Sequence, residues 1–281
     1  TPATYGNDSI SSLKGADRVR LRPGVIFGSD GLEGCEHSFF EILSNSIDEA
    51  REGYGNEILV TRYADGSLEV EDFGRGVPMG YNEKEGRVYC ELYAGGKYNN
   101  DEGESYEYSL GLNGLGACAT QYASEWFEVT VLRDKTRYEL RFERGEPAGE
   151  LQQTPYSGKR TGTVTRWKPD REVFTDIAIP PEFFHDLLKR QAVVNAGLTF
   201  VFRDETAPGS FEESRYCYEN GIVDYLAELV GEDALTTPYV ARAERQGRDR
   251  EDKPLYKVKF EVAFAFSTRV QRIEYYHNSS F

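Results

Sequence analysis

Apolar residues recur every three or four positions through residues 36–50 (EHSFFEILSNSIDEA), which predicts an amphipathic helix. Phe39, Leu43, Ile47 and Ala50 fall on one face, and His37, Glu41, Asn45 and Asp48 on the opposite stripe. Residues 57–63 and 67–72 change to alternating apolar and polar residues around Ala64-Asp65-Gly66, the pattern of a hairpin. Residues 126–133 and 137–143 repeat it around Asp134-Lys135, and 161–167 predict a further strand. Residues 180–196 open on proline, space their apolar residues helically and stop at Gly197; a strand at 198–203 follows. Residues 74–116 are too rich in glycine and charge to form a packed layer. The polar, turn-rich run 204–213 predicts a boundary, followed by a short helix at 221–230 and strands at 255–266 and 270–276. The expected fold is α+β, with helices over one face of a mostly antiparallel sheet. Residues 1–205, whose first 30 residues read as an arm and a turn-rich lead-in, form one expected domain; 206–281 form part of a second. No internal repeat is visible.

Composition narrows the class. Of 281 residues, 39% are hydrophobic and 29% charged, as in a globular protein with ample core. No apolar run approaches the ~20 residues that cross a bilayer, and the N-terminus lacks the regions of a signal peptide. Cys35, Cys90, Cys118 and Cys217 are widely separated, which suits reduced thiols in the cytoplasm rather than a zinc site. The net charge of −15 argues against this chain gripping a nucleic-acid backbone by itself.

The candidate chemistry starts from the polar stripe of the first helix. It holds two carboxylates, a carboxamide and an imidazole, with no cation before Arg51. That set suits activation of water beside a metal-bound phosphate; alternatively, Ser38-x-x-Glu41 is a capping box on a solvated helix. Asp72-Phe73-Gly74-Arg75-Gly76-Val77-Pro78 either closes a strand in a plain turn or offers a carboxylate to a ligand amine, with flat atoms close to Gly74 and Gly76. Gly111-Leu112-Asn113-Gly114-Leu115-Gly116 precedes a plausible helix and exposes N–H donors to an anion, but its spacing is not the dinucleotide fingerprint. Ala94-Gly95-Gly96-Lys97 is no Walker A loop, though Lys97 reaches a phosphate in one reading and is a surface lysine in the other. Thr161-Gly162-Thr163 opens a strand with two hydroxyls.

Taken in order, E-x-x-x-N-x-x-D, D-x-G-x-G, G-x-x-G-x-G and T-G-T resemble the GHKL ATPase superfamily. Within it the chain is most similar to the gyrase B and topoisomerase IV B-type subunits. Leu13-Lys14-Gly15, Arg20-Leu21-Arg22-Pro23-Gly24, Asn45-Ser46-Ile47-Asp48-Glu49-Ala50, Asp65-Gly66-Ser67 and Ala94-Gly95-Gly96-Lys97-Tyr98 carry that closer match. It extends from about Tyr5 to Asp204, and more loosely to Phe281. The resemblance implies a two-layer α/β sandwich of the GHKL (Bergerat) type at 1–205, then part of a transducer domain at 206–281. It implies ATP and Mg²⁺ as ligands, with Glu41 as general base, His37 orienting it or serving a structural part, and Asn45 ligating the metal. Asp72 accepts from the adenine amino group, Thr163 supports that contact, and Glu49 with Arg75 covers the base, flanked by Gly74, Gly76 and Pro78. Lys97, Gly114, Leu115 and Gly116 meet phosphates, with Tyr106 in the lid. Tyr5 reaches into a second copy's site, Arg133 stands at an inhibitor (aminocoumarin) position, and Asp48 is structural.

The implied activity is that of a type II DNA topoisomerase, in which ATP-dependent homodimerisation is coupled to DNA strand passage. Its partners are a second copy, a DNA-cleaving A-type subunit, and DNA held through regions outside this chain. Ser44, Leu110 and Asn113 depart from the family's usual residues around the lid. The lysine that the family's transducer domain supplies to the γ-phosphate is expected beyond Phe281, which predicts ATP binding with slow hydrolysis. A nucleotide-dependent clamp or switch of the same fold outside DNA topology is the alternative. A plain binding module, blind to nucleotide and to mutation of Asp72, is the third reading.

Overall fold

The computed structural model of the chain describes residues 16–77, 116–248, 250 and 255–277. Two short helices, α1 (Ala16–Leu21) and α2 (Pro23–Phe27), lead into the long α3 (Leu32–Arg51). The hairpin β1 (Glu57–Arg62) and β2 (Leu68–Asp72) follows, and α4 (Gly116–Tyr122) precedes a second hairpin, β3 (Ser124–Arg133) and β4 (Thr136–Glu143). Short edge strands β5 (Glu146–Pro147) and β6 (Gln152–Pro155), then β7 (Gly162–Pro169), α5 (Pro181–Val194), β8 (Thr199–Ala207) and β9 (Ser210–Tyr216) complete the main layer pair. The sheet runs β5-β4-β3-β7-β2-β1-β8-β9, with β6 also paired to β4. Every pairing is antiparallel except β1 with β8.

Burial explains why α3 lies where it does. Cys35, Phe39, Leu43 and Ile47, spaced by fours, are all fully buried against the sheet. Phe39 packs on Trp167 of β7 and Phe184 of α5, with ring centroids 6.1 and 4.9 Å apart, and Phe184 stacks on Phe202 of β8 at 5.0 Å. Each such aromatic pair adds about 0.5–1.5 kcal/mol beyond its area. The cluster fixes α3 and α5 on one face of the sheet, as the alternation predicts.

Several expectations need correction. Helix α3 begins at Leu32, so Ser38 lies inside it and donates to the Cys35 carbonyl (2.7 Å) instead of capping an end. Asp48 of the polar stripe is buried, so that stripe is not a wholly solvated face, in keeping with the structural part expected of this residue. The run 204–213 is a hairpin of the main sheet, because β8 pairs with β9 from Phe200↔Tyr216 to Ala207↔Ser210. Asp204 sits opposite Arg62 in the parallel ladder and accepts two hydrogen bonds from it, at 2.8 and 3.1 Å. A division between residues 205 and 206 therefore falls inside a strand, and the sheet continues to Tyr216. Beyond it lie α6 (Ile222–Val230) and a separate two-stranded ribbon, β10 (Tyr239–Gly247) with β11 (Tyr256–Phe264). Residues 270–276 are irregular, not a strand.

Candidate functional site

Asp72 ends β2 one residue past the last pair of the β2–β7 ladder, Glu71↔Val164, beside the first residues of β7. Its Oδ1 accepts from the N–H of Gly74 (3.0 Å) and of Thr163 (3.2 Å), and its Oδ2 accepts from the Ser46 hydroxyl of α3 (3.0 Å). Burial pushes the Asp72 carboxyl above its ordinary range; the three donors pull against that, and the charge of Glu49 adds to the rise. A carboxylate has about four acceptor positions. Among the described residues three are taken, two on Oδ1 and one on Oδ2, and the remaining one is on Oδ2.

Around this carboxylate the turn 73–77 is tied down on every side. Thr161 donates to the Gly74 carbonyl (2.6 Å), and the Thr163 hydroxyl accepts from the Val77 N–H (3.2 Å) while keeping its own proton. Arg133 donates to the Gly76 carbonyl (2.9 Å). Arg75 grips Glu49 through two guanidinium nitrogens, at 2.8 and 3.0 Å, and its guanidinium lies 3.9 Å from the centre of the Tyr54 ring. Arg160 pairs with Glu71 and lies over the Phe73 ring. Gly162 is required here: a Cβ on it would stand 2.1 Å from the Asp72 carbonyl oxygen.

The other end of the site lies two turns back along α3, ~12 Å from Glu49 by helical rise. His37 Nε2 is 3.1 Å from Glu41 Oε1, and its Nδ1 is 3.1 Å from the Phe27 carbonyl. Both neighbours are acceptors, and a neutral ring can donate to only one of them. The pair with Glu41 accordingly raises the imidazole above its ordinary value; burial opposes this, and the Phe27 carbonyl adds to it. Asn45 Nδ2 donates to the Glu41 carbonyl (2.9 Å), a bond that does not use its Oδ1. Gly116, at the start of α4, faces Glu41 so closely that a Cβ would lie 1.7 Å from its Oε2. Thr120 joins the two helices by donating to the Ser38 carbonyl (2.8 Å).

The structure thus brings together Glu49, Asp72, Gly74, Arg75, Gly76, Arg133 and Thr163 at one end, and His37, Glu41, Asn45 and Gly116 at the other. Tyr5, Pro78, Lys97, Tyr106, Gly114 and Leu115 lie outside the described residues. Sequence reading missed Ser46, Tyr54 and Arg160. The signal for Ser46 was a small polar residue one position before the buried Ile47; Tyr54 and Arg160 gave none. Among the described residues, no group of three His, Cys, Asp or Glu side chains could hold a metal, and no helix is long and apolar enough to cross a membrane.

No family model matches the chain. The DNA gyrase B protein of Thermotoga maritima is 36% identical over 271 residues, which are 94% of this chain and 42% of that protein. That of Synechocystis sp. is 40% identical over 235 residues, 82% of this chain and 21% of the relative. Among solved structures, the 43K ATPase domain of Thermus thermophilus gyrase B in complex with an aminocoumarin matches with a TM-score of 0.69 and 35% identity, covering 82% of this chain and 59% of that one. The chain spans less than half the length of these full-length relatives. On these matches and this fold, the chain belongs to the DNA gyrase B family.

Proposed function

We propose that this chain is the ATP-binding and ATP-hydrolysing part of a bacterial type II DNA topoisomerase of the gyrase B type. The observation that carries the reading is the single open acceptor position on Asp72, set at one end of α3 with the His37–Glu41 pair at the other. An adenine amino group donates one N–H to Asp72 Oδ2, and the Glu49–Arg75 pair stacked on Tyr54 covers the outer face of the base. The Thr163 hydroxyl, with a proton still to give, supports the base directly or through water. The triphosphate then runs along α3 towards Asn45, Glu41 and Gly116, with Lys97, Gly114 and Leu115 contributing from the glycine-rich segment.

At that end Glu41 accepts a proton from the water that attacks the terminal phosphorus, and His37 holds the carboxylate in place. Mg²⁺ suits the Asn45 oxygen, because a hard cation with few protein ligands takes the rest from phosphate and water; when bound it neutralises phosphate charge. With a net charge of −15, the chain leaves contact with DNA to other regions, and to a DNA-cleaving A-type subunit. Nucleotide binding favours a dimer with a second copy in the cytoplasm, with Tyr5 crossing to that copy and residues beyond Tyr216 beginning a transducer domain.

Calorimetric titration of a non-hydrolysable ATP analogue with Mg²⁺ into the wild-type chain and into Asp72→Asn tests the reading. Binding by the wild type that falls at least about tenfold in the variant is expected for a lost charge-assisted hydrogen bond. Equal binding by both would contradict the assignment.

A further inference from the structure

The three serines of α3 do not use their hydroxyls alike. In a helix interior a serine ordinarily donates to a carbonyl one turn back. Ser38 does so to Cys35 (2.7 Å) and Ser44 to Glu41 (3.0 Å), whereas Ser46 gives its proton to Asp72 Oδ2 (3.0 Å). Ser46 is buried, so this bond forms away from competing water.

We propose that Ser46 is a positioning residue for base recognition, its hydroxyl filling one acceptor position of Asp72 Oδ2 and leaving one position for a single ligand N–H. The inference rests on reading the Asp72 end as the seat of the base. Among the described residues, all three partners of Asp72 are donors to a carboxylate, and Ser46 is the only one of them that is a side chain. It is therefore the one partner that substitution can remove without disturbing the ladder between β2 and β7. Without it Oδ2 has two open positions, so the ligand N–H is no longer directed, and the buried carboxylate loses a bond that favours its ionised form. Among the described residues, the charge that acts on Asp72 is that of Glu49 of α3, bound to Arg75 of the turn, and its chain neighbour Glu71 of β2 is bound to Arg160 before β7. None of these is altered by changing Ser46.

The test is titration of the same ATP analogue with Mg²⁺ into wild type, Ser46→Ala, Ser46→Thr, Asp72→Asn and the Ser46→Ala/Asp72→Asn double variant, from acid to neutral pH. Ser46→Ala weakens binding about three- to tenfold at neutral pH, and the acid limit of binding moves up by about one pH unit. Ser46→Thr, which keeps the hydroxyl, restores the wild-type pH limit. In the Asp72→Asn background, Ser46→Ala costs nothing further. An unchanged affinity and pH limit in Ser46→Ala, or an equal loss in both backgrounds, overturns the proposal and leaves the site's reading intact. If wild type and Asp72→Asn bind alike, that reading fails and the proposal goes with it.

Discussion

Gly162→Ala is the substitution whose cost the geometry fixes best. Gly162 opens β7 with φ +140°, and a Cβ there would stand 2.1 Å from the Asp72 carbonyl oxygen, 2.9 Å from its carbonyl carbon and 3.1 Å from Phe73 Cα. All three atoms are backbone, so no rotamer change relieves the clash, and the end of β2 must move away from β7. Backbone strain contributes about 1–3 kcal/mol. Overpacking adds about 1–3 kcal/mol. The sum, about 2–6 kcal/mol, is a large share of the total stability of an ordinary domain. Gly209→Ala is the matched control: its φ is +79°, but nothing lies within 4 Å of its Cβ, so it bears only the backbone cost of about 1 kcal/mol. Urea unfolding followed by fluorescence of the fully buried Trp167 of β7 reads both. Displacement of β2 also draws Asp72 away from the Thr163 N–H, so nucleotide affinity falls in Gly162→Ala and not in Gly209→Ala. A Gly162→Ala chain no less stable than Gly209→Ala would refute the reasoning.

Three further outcomes are expected. Glu41→Gln keeps nucleotide affinity and lowers turnover by roughly 10²–10⁴-fold, the usual worth of a general base, in a coupled phosphate-release assay; unchanged turnover contradicts the role. His37, raised by its bond to Glu41, titrates above the ordinary imidazole value by NMR. The stability it lends is whole below that value and is lost as pH rises through the raised one, and Glu41→Gln moves the midpoint down. Asp72 is raised by burial, so ionising it costs wild-type stability as pH rises from the ordinary carboxylate value through the raised one. Asp72→Asn escapes that cost and melts at an equal or higher temperature at neutral pH, and a clearly lower melting temperature contradicts this.

What the sequence revealed follows from what leaves a periodic trace. Phe39, Leu43 and Ile47 mark α3 because their shared face is buried, and the two antiparallel hairpins show because each has one buried face. The start of α3 escaped notice because Gly31 is its cap and no side chain bonds the helix N-terminus. Strand β9 passed for a linker because it lies at the sheet edge with Phe211, Glu212 and Glu213 exposed, so no alternation survives. Strand β10 was missed for the same reason, while 270–276 is rich in strand-prone residues (Val270, Ile273, Tyr275, Tyr276) without forming a strand. At the candidate site, Asp72 and Glu41 are picked out in the sequence by their spacing to glycine and asparagine. The donors that hold Asp72 are not, because two are backbone N–H groups and the third, Ser46, reaches it across 26 residues of chain.

A crystal structure of the chain with a non-hydrolysable ATP analogue and Mg²⁺ would test most directly the polarity of the site along α3. The adenine amino nitrogen is predicted within about 3 Å of Asp72 Oδ2, with the phosphates beside Asn45, Glu41 and Gly116. A nucleotide bound with its base at Glu41, or bound away from α3, would contradict it.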